Sequence, residues 1–177
     1  MGARTKKAKT RRLRIVICDT GPVLHLHEAA ALDLLKHAGE VIIPRAVEAE
    51  LKQRIADWRR LKPRWLRVRT IAAAQRRAPV IRQLVQELGQ GEAEAIILAQ
   101  SLKADWLLTD DAEARVVAQL VGLEVHGSLG VILWAAASGH LSESDAYAAL
   151  GRVARSSLWM SQRILAEATD ALRRLFG

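Results

Sequence analysis

Residues 14–23 read Arg-Ile-Val-Ile-Cys-Asp-Thr-Gly-Pro-Val, and the fold class follows from this stretch. Its apolar part is short and rich in β-branched residues, which predicts a strand at 14–18 that is buried on both faces. The turn signal Asp-Thr-Gly-Pro follows at 19–22, and Pro22 is well placed to open a helix. The sequence therefore predicts a buried strand that leads directly into a helix.

Strands and helices continue to alternate along the chain. Further strands are predicted at 41–43, 65–69, 106–108 and 123–125. Helices are predicted at 22–39, 45–58, 79–88, 93–102 and 112–121, and after Gly130 with breaks near Gly139 and Ser156. Because right-handed crossovers place helices on both faces, the expected fold class is α/β: a parallel sheet of about four or five strands between helices, with extra C-terminal helices.

Length and composition favour one soluble domain. The chain has 177 residues, of which 50% are apolar, and a chain of roughly 150 residues can bury one adequate core. We expect residues 14–177 to form this domain, with a helical extension from about residue 130, and residues 1–13 to form a disordered basic tail. The single Cys18 excludes an intrachain disulfide and favours a cytoplasmic location. The longest apolar run, 131–137, is too short to span a membrane.

Charge is segregated along the sequence. Residues 1–14 hold seven bases and no acid, residues 45–86 hold 12 bases and three acids, and residues 87–151 hold two bases and ten acids. We call residues 45–86 the basic segment. Such blocks predict a basic lobe for nucleic acid beside an acidic centre, although arginines can also coat exposed helices. Trp58 and Trp65 lie in the basic segment and could stack on bases or pack in the core.

Acidic side chains follow the predicted strands in a way that suggests a metal site. Asp19 follows the first strand, and Asp110 and Asp111 follow the strand at 106–108. In parallel sheets, sites form beyond the carboxyl ends of the strands, so these side chains should lie together. Carboxylates that are brought together repel one another unless a cation compensates. Oxygen ligands without Cys or paired His favour Mg²⁺ or Mn²⁺ over zinc.

Two further acidic pairs begin helices, and each pair leaves a choice. Glu48 and Glu50 are two positions apart and cannot share a helix face. Glu50 is the better candidate because it directly precedes the apolar Leu51. Glu92 and Glu94 pose the same choice. Every one of these acids also has a structural interpretation as a helix cap, a turn residue or a partner of the helix dipole. His25 and His27 diverge on a predicted helix and are poor ligand candidates.

Four motifs in order resemble the PIN-domain family of metal-dependent ribonucleases. They are Ile-Val-Ile-Cys-Asp-Thr-Gly-Pro-Val at 15–23, Ile-Pro-Arg-Ala-Val-Glu-Ala-Glu-Leu at 43–51, Gly-Gln-Gly-Glu-Ala-Glu-Ala-Ile at 89–96 and Leu-Leu-Thr-Asp-Asp-Ala at 107–112. The ending, with Gly-Ser-Leu-Gly at 127–130 and Ser-Leu-Trp-Met-Ser at 157–161, looks like a PIN-like subfamily of uncharacterised prokaryotic proteins.

The resemblance implies a site and a reaction. Asp19 would be the first metal ligand, Glu50 the second, Glu94 the third, and Asp111 or Asp110 the fourth. Thr20 and Thr109 would support them, and Glu48 and Glu92 are the alternates by register. The implied activity is hydrolysis of RNA phosphodiesters with Mg²⁺ or Mn²⁺, leaving 5′-phosphate and 3′-hydroxyl ends. The family includes the toxins of many toxin–antitoxin pairs, so an antitoxin partner and a homodimer are also implied.

Two other functions remain open from the sequence. A catalytically inactive, nucleic-acid-binding PIN-like module would keep the basic segment but leave the carboxylates without metal. An α/β phosphatase or receiver domain would use Asp19 as a phosphate acceptor. A nucleophile of the haloacid-dehalogenase type is expected to have a second Asp at position 21, which is Gly in this chain. Metal-dependent cleavage of RNA separates the ribonuclease from both alternatives.

Overall fold

A computed structural model describes residues 13–77 and 79–177. In this part of the chain, five parallel strands form one sheet in the order β3-β2-β1-β4-β5. The strands are β1 (Ile15–Cys18), β2 (Glu40–Pro44), β3 (Arg67–Arg69), β4 (Trp106–Leu108) and β5 (Val125–His126). Register is set by Val16 against Val41 on one side of β1 and by Ile17 against Leu107 on the other. The predicted α/β fold class is confirmed.

Helices connect the strands and continue beyond β5. They are α1 (Thr20–Glu28), α2 (Leu35–Ala38), α3 (Arg45–Arg54), α4 (Trp58–Leu61), α5 (Ala73–Arg77), α6 (Pro79–Leu88), α7 (Gln90–Leu102), α8 (Ala112–Leu120), α9 (Ser128–Ala137), α10 (Glu143–Val153) and α11 (Gln162–Phe176). A single 3₁₀ turn, Leu32–Leu34, precedes α2. The helical C-terminal region predicted from the sequence is therefore present as α9, α10 and α11.

The two faces of the sheet bury two separate cores because successive strand residues point in opposite directions. Val16 and Cys18 of β1 pack on one face with side chains of α1, α3, α9 and α10. Ile17 of β1 packs on the other face with side chains of α7 and α8. A third cluster joins α9 and α10 to α11 through Leu150 and Leu172. Helices therefore cover both faces, and the C-terminal helices thicken the layer that contains α1.

Several element boundaries differ from the sequence-based prediction. Helix α3 ends at Arg54 rather than Trp58, because Ile55 is extended and Asp57 adopts a left-handed conformation with φ of 55°. Helix α7 begins at Gln90 rather than Ala93, so Gly91 lies inside its first turn. Helix α9 begins at Ser128 rather than Gly130. The earlier starts of α7 and α9 change which residues lie in the first turns of these helices.

The strand order places a topological switch point beside β1. The chain moves from β1 to β2 and β3 on one side, and then crosses to β4 and β5 on the other. Connections leave the neighbouring carboxyl ends of β1 and β4 in opposite directions, which opens a crevice between them. Asp19 follows β1, and Asp110 and Asp111 follow β4, so the acids predicted to follow these two strands meet at this crevice.

Two further predictions concern the tail and the membrane. The basic tail predicted at 1–13 lies outside the described residues except for Leu13. Among the described residues, none of the helices combines the length and the apolar character that crossing a bilayer requires.

Candidate functional site

A cavity of about 360 Å³ lies at the switch point between the carboxyl ends of β1 and β4. Acidic side chains from four separate segments of the chain line it: Asp19, Glu50, Glu92, Asp110 and Asp111. We call it the carboxylate cavity. The strand order thus brings together residues that are as far as 90 positions apart in sequence.

Asp19 lies at the base of the carboxylate cavity, where it is almost completely buried. Its Oδ1 accepts a hydrogen bond of 2.6 Å from the backbone N–H of Thr20, and its Oδ2 accepts one of 3.0 Å from the hydroxyl of Thr109. Burial raises its pKa to about 7, and the negative charges of Glu92 and Glu50 add to the effect. Asp19 is therefore a carboxylate whose ionised form would be stabilised by a nearby cation.

Glu50 reaches the carboxylate cavity from the penultimate turn of α3. Its Oε2 accepts a hydrogen bond of 2.5 Å from the hydroxyl of Thr20, so Thr20 links Asp19 to Glu50. A Cβ atom built at Gly91 would stand only 2.7 Å from Oε1 of Glu50. The absence of a side chain at position 91 is what lets the Glu50 carboxylate pass between α3 and α7.

Glu48 turns away from the carboxylate cavity, although it is also buried. Its carboxylate pairs with Lys62 at 3.1 Å, Lys52 at 3.2 Å and Arg45 at 3.5 Å. Burial alone would raise the pKa of Glu48, but the hydrogen bonds from Lys62 and Lys52 outweigh it and the pKa is lowered. The choice of Glu50 over Glu48 as the acid that faces the crevice agrees with this placement.

Helix α7 supplies Glu92 to the carboxylate cavity and places Glu94 elsewhere. Glu92 lines the cavity, and burial raises its pKa, with further increases from the charges of Glu50 and Asp111. Glu94 is only 1% exposed. Its oxygens accept hydrogen bonds from the side-chain amide of Gln90 at 3.2 Å and from the backbone N–H of Ala46 at 3.4 Å. Glu94 therefore faces the start of α3, and the alternate Glu92 occupies the cavity.

The two consecutive aspartates after β4 make different hydrogen bonds. Asp110 accepts hydrogen bonds from the backbone N–H of Ser128 at 2.7 Å and from its hydroxyl at 2.5 Å, and it contacts Nδ1 of His25 at 2.7 Å. It thereby joins the β4–α8 turn to α1 and to the start of α9. Asp111 caps α8 by accepting from the N–H of Ala114 at 2.7 Å. Its position lies at the open side of the cavity, where it is exposed.

The two threonines position the acids. The hydroxyl of Thr109 donates to Asp19 and accepts from the backbone N–H of Asp111 at 3.2 Å. Thr20 donates both its backbone N–H and its hydroxyl to carboxylates. Both threonines are buried, so their side chains have fixed partners. The resemblance implies a supporting role for Thr20 and Thr109; the structure gives both threonines contacts with acids, and the role itself stays a prediction.

The chemistry of the donor set fits a hard divalent cation, but the side chains do not converge on one point. The cavity has five carboxylates, and the pKa values of two of them, Asp19 and Glu92, are raised. Carboxylate oxygens are the ligands that Mg²⁺ and Mn²⁺ prefer. In residues 13–77 and 79–177, no group of three or more His, Cys, Asp or Glu side chains is arranged to hold a metal ion. Cation binding would therefore require rotations of the carboxylates.

Several residues that line the cavity were not proposed as site residues from the sequence. Arg54 lines it from the last turn of α3, and Leu158 and Trp159 line it from the segment between α10 and α11. Arg54 has a detectable signal, because it stands four positions after Glu50 on the same helix face. Leu158 and Trp159 belong to the Ser-Leu-Trp-Met-Ser motif of the resemblance, but no local pattern places a segment about 140 residues later beside the Asp19 turn.

Comparison with known proteins agrees with the fold. A family model described as a PIN domain matches residues 15–174, which is almost the whole described chain. No curated protein and no solved structure matches the sequence.

Proposed function

The chain belongs to the PIN-domain family, and from that premise we propose that it is a metal-dependent endoribonuclease whose reaction centre is the carboxylate cavity. The PIN domain is a nuclease-type fold, and the family match covers both sides of the cavity. The proposal assigns Asp19, Glu50, Glu92 and Asp111 to the binding of Mg²⁺ or Mn²⁺. Asp110 is retained as a further candidate in the cavity, whereas Glu94, which faces the start of α3, is the alternative to Glu92.

One observation carries the proposal. Five carboxylates from four distant segments line a single cavity at the switch point of a parallel sheet. Helix caps and turn residues have no reason to share a cavity, and their mutual repulsion destabilises the protein without a cation. The raised pKa of Asp19 reflects this repulsion as well as burial. A cation site accounts for the arrangement of the whole set.

When bound, Mg²⁺ or Mn²⁺ would activate water and stabilise the charge that develops on the scissile phosphate. The chain's own residues prepare the site for this chemistry. Thr20 and Thr109 hold Asp19 with both oxygens in hydrogen bonds. Gly91 gives Glu50 access. Asp110 anchors the turn that presents Asp111. Arg54 places a positive charge at the cavity, where it can contact a phosphate of the substrate.

The surroundings of the cavity favour a nucleic acid as substrate. The basic segment carries exposed arginines on α3, α4 and β3 and between α4 and β3, and Arg54 among them lines the cavity: Arg54, Arg59, Arg60, Arg64, Arg67 and Arg69. Such a surface neutralises phosphates and offsets the repulsion between RNA and the carboxylates. The same premise supports the further proposals of a toxin role, an antitoxin partner that covers the cavity, and a homodimer.

A second candidate function is an inactive nucleic-acid-binding module. It is favoured by the lack of a convergent metal-binding group among the described residues. It is also favoured by the hydrogen bonds that already occupy Asp110 and one oxygen of Asp111. This candidate retains the basic surface and predicts RNA binding that is indifferent to divalent cations.

The decisive test is a cleavage assay on single-stranded and structured RNA with Mg²⁺ or Mn²⁺. The wild type is compared with Asp19→Asn, and Asp33→Asn is the matched control. Asp33 is an exposed aspartate that makes only a loose ion pair of 3.6 Å with Lys36, so its replacement should leave activity intact. Isothermal titration with Mn²⁺ in the absence of RNA measures cation binding separately.

We expect RNA cleavage that EDTA abolishes, that Asp19→Asn lowers by at least about a hundredfold, and that Asp33→Asn preserves. Mn²⁺ binding should weaken in parallel. RNA binding without cleavage, together with no heat of Mn²⁺ binding, would instead establish the inactive module.

A further inference from the structure

Trp159 is an exposed indole on a protein that otherwise shields its tryptophans. It is 84% exposed, whereas Trp58 and Trp106 are buried and Trp65 and Trp134 are partly buried. A single exposed apolar side chain is common on protein surfaces. Trp159 differs because it lines the carboxylate cavity, so its ring stands beside the groups to which the proposed function assigns cation binding.

The backbone that carries Trp159 is anchored on both sides. The neighbouring Leu158 and Met160 pack against the core that contains α1 and α9. The backbone N–H of Ser157 donates to the carboxylate of Glu28 at 2.7 Å, and the Ser157 hydroxyl donates to the same group at 2.8 Å. The hydroxyl of Ser161 then caps α11. The indole is therefore exposed without being on a free loop, so little ordering entropy is lost when a ligand contacts it.

The surroundings of Trp159 match the two parts of a nucleotide. A flat aromatic face is a platform for a base of any sequence. Arg54 lines the same cavity and supplies a positive charge for a phosphate. The carboxylates of the same cavity are where the cation and the scissile bond would lie. An exposed, preorganised tryptophan also suits a protein partner, but a protein contact requires neither the cationic Arg54 nor the adjacent acids.

We propose that Trp159 is a base-contacting residue, which stacks on an unpaired base of the substrate next to the scissile phosphate. This inference rests on the proposed ribonuclease function and adds to it a substrate contact outside the carboxylates. In a duplex, both faces of each base are occupied by neighbouring bases, so the indole has no face to contact. RNA that is unpaired or splayed at the cavity presents such a face.

The test measures binding without cleavage, in EDTA and at low salt. A short single-stranded oligoribonucleotide of mixed sequence is compared with the blunt duplex of the same sequence. The part of the tryptophan-fluorescence quenching that is lost in Trp159→Phe reports contact at Trp159, and anisotropy of labelled RNA gives the affinity for every variant. Trp159→Ala removes the platform, and Trp159→Phe restores a smaller ring. Leu120→Ala is the matched control, because Leu120 is 82% exposed on α8 and does not line the cavity.

We expect single-stranded RNA to quench the wild type and to bind Trp159→Ala roughly ten- to a hundredfold more weakly, as removal of one base–aromatic stack implies. Trp159→Phe should recover most of this affinity. Duplex binding should be equal in all variants, and Leu120→Ala should match the wild type. Thermal melting should show no change for Trp159→Ala, because the side chain is exposed.

Three results would overturn the inference: unchanged affinity of Trp159→Ala for single-stranded RNA, an equal loss for the duplex, or no binding of single-stranded RNA by the wild type. An altered sedimentation coefficient of Trp159→Ala with unchanged RNA affinity would assign the indole to a protein interface instead. Failure of the ribonuclease proposal gives a different pattern, in which single-stranded RNA quenches Trp159 but is not cut when Mg²⁺ or Mn²⁺ is added.

Discussion

At the scale of single residues, Asp19 couples the carboxylate cavity to stability. Its pKa is about 7 in the folded protein, against an ordinary value of 3.8. The folded state therefore holds the proton more tightly, and stability falls as pH rises from about 3.8 to about 7. The full decrease for the wild type is on the order of 4 kcal/mol. Above this range the folded protein carries a buried negative charge that a bound cation would neutralise.

We therefore predict that Asp19→Asn stabilises the protein when divalent cations are absent. Asparagine keeps an oxygen for the N–H of Thr20, and its amide can donate to the hydroxyl of Thr109. Urea denaturation in EDTA at about pH 8 should give a higher free energy of unfolding for the variant, by up to about 4 kcal/mol. Near pH 4 the difference should vanish. A variant that is less stable than the wild type at both pH values would contradict this account.

Glu92 and Glu94 occupy different positions, so we expect their replacement to have different effects. Glu92 lines the cavity and acts on the pKa of Asp19, whereas Glu94 is buried beside the start of α3. Glu92→Gln is expected to weaken Mn²⁺ binding by about tenfold or more. Glu94→Gln should leave Mn²⁺ affinity unchanged and lower stability by about 1–2 kcal/mol, because the amide nitrogen would face an N–H donor such as that of Ala46 or Gln90. Titration calorimetry and urea denaturation of both variants measure these effects, and the reverse pattern would return the third ligand position to Glu94.

At the scale of elements, we expect Gly91 of α7 to be needed for function although it does not favour the stability of the helix. It lies in the first turn of α7, where alanine is favoured over glycine by about 1 kcal/mol. A Cβ there would meet the Glu50 carboxylate at 2.7 Å. That carboxylate ends a flexible side chain, so it can move aside with little change in stability. The same movement takes it out of the carboxylate cavity.

Gly91→Ala is therefore expected to unfold at the same or a slightly higher temperature and yet lose most metal-dependent cleavage, by about tenfold or more. Calorimetric melting and the cleavage assay are compared on one preparation. Gly151→Ala serves as the control, because a Cβ there meets only the flexible end of Arg155 at 3.5 Å. Equal activity of Gly91→Ala and the wild type would show that Glu50 does not need this passage.

Sequence patterns predicted some of these elements correctly and missed the boundaries of others. Periodicity and turn signals located β1, β2 and β4 because their apolar runs are short and end at Asp19, Pro44 and Thr109. They misjudged the start of α7, because glycine is read as a helix breaker and Gly91 is instead a helix residue that makes room for Glu50. The residue at which α7 begins decides which of Glu92 and Glu94 faces the carboxylate cavity. Patterns within one segment do not reveal which distant side chain will approach it.

The same reasoning explains which parts of the cavity could be foreseen. Asp19, Asp110 and Asp111 directly follow strands, so the geometry of a parallel sheet alone brings them to one edge. Glu50 could be chosen over Glu48 because it directly precedes Leu51, whose apolar side chain identifies the buried face of the helix. The roles of Asp110 and Ser128 depend on hydrogen bonds between turns of different strands, and no local pattern contains that information.

At the scale of the whole molecule, opposite charges meet at the carboxylate cavity. The exposed arginines of α4 do not pair with acids among the described residues and are available to phosphates. We predict that Arg59→Ala combined with Arg60→Ala weakens RNA binding and lowers the slope of log affinity against log salt by about 0.7 for each phosphate that these arginines neutralise. Arg163→Ala combined with Arg174→Ala on α11 is the control of equal charge, and it should leave the slope unchanged.

The strand order has a consequence for the order in which the chain is made. Asp19 and Thr109 are hydrogen-bonded but 90 positions apart, and the segment that carries Trp159 is synthesised later still. A ribosome must therefore release β4 before the base of the cavity can close, and the α10–α11 segment before its rim is complete. For the proposed ribonuclease, this means that the nascent polypeptide has no assembled centre beside ribosomal RNA until both segments have left the ribosome.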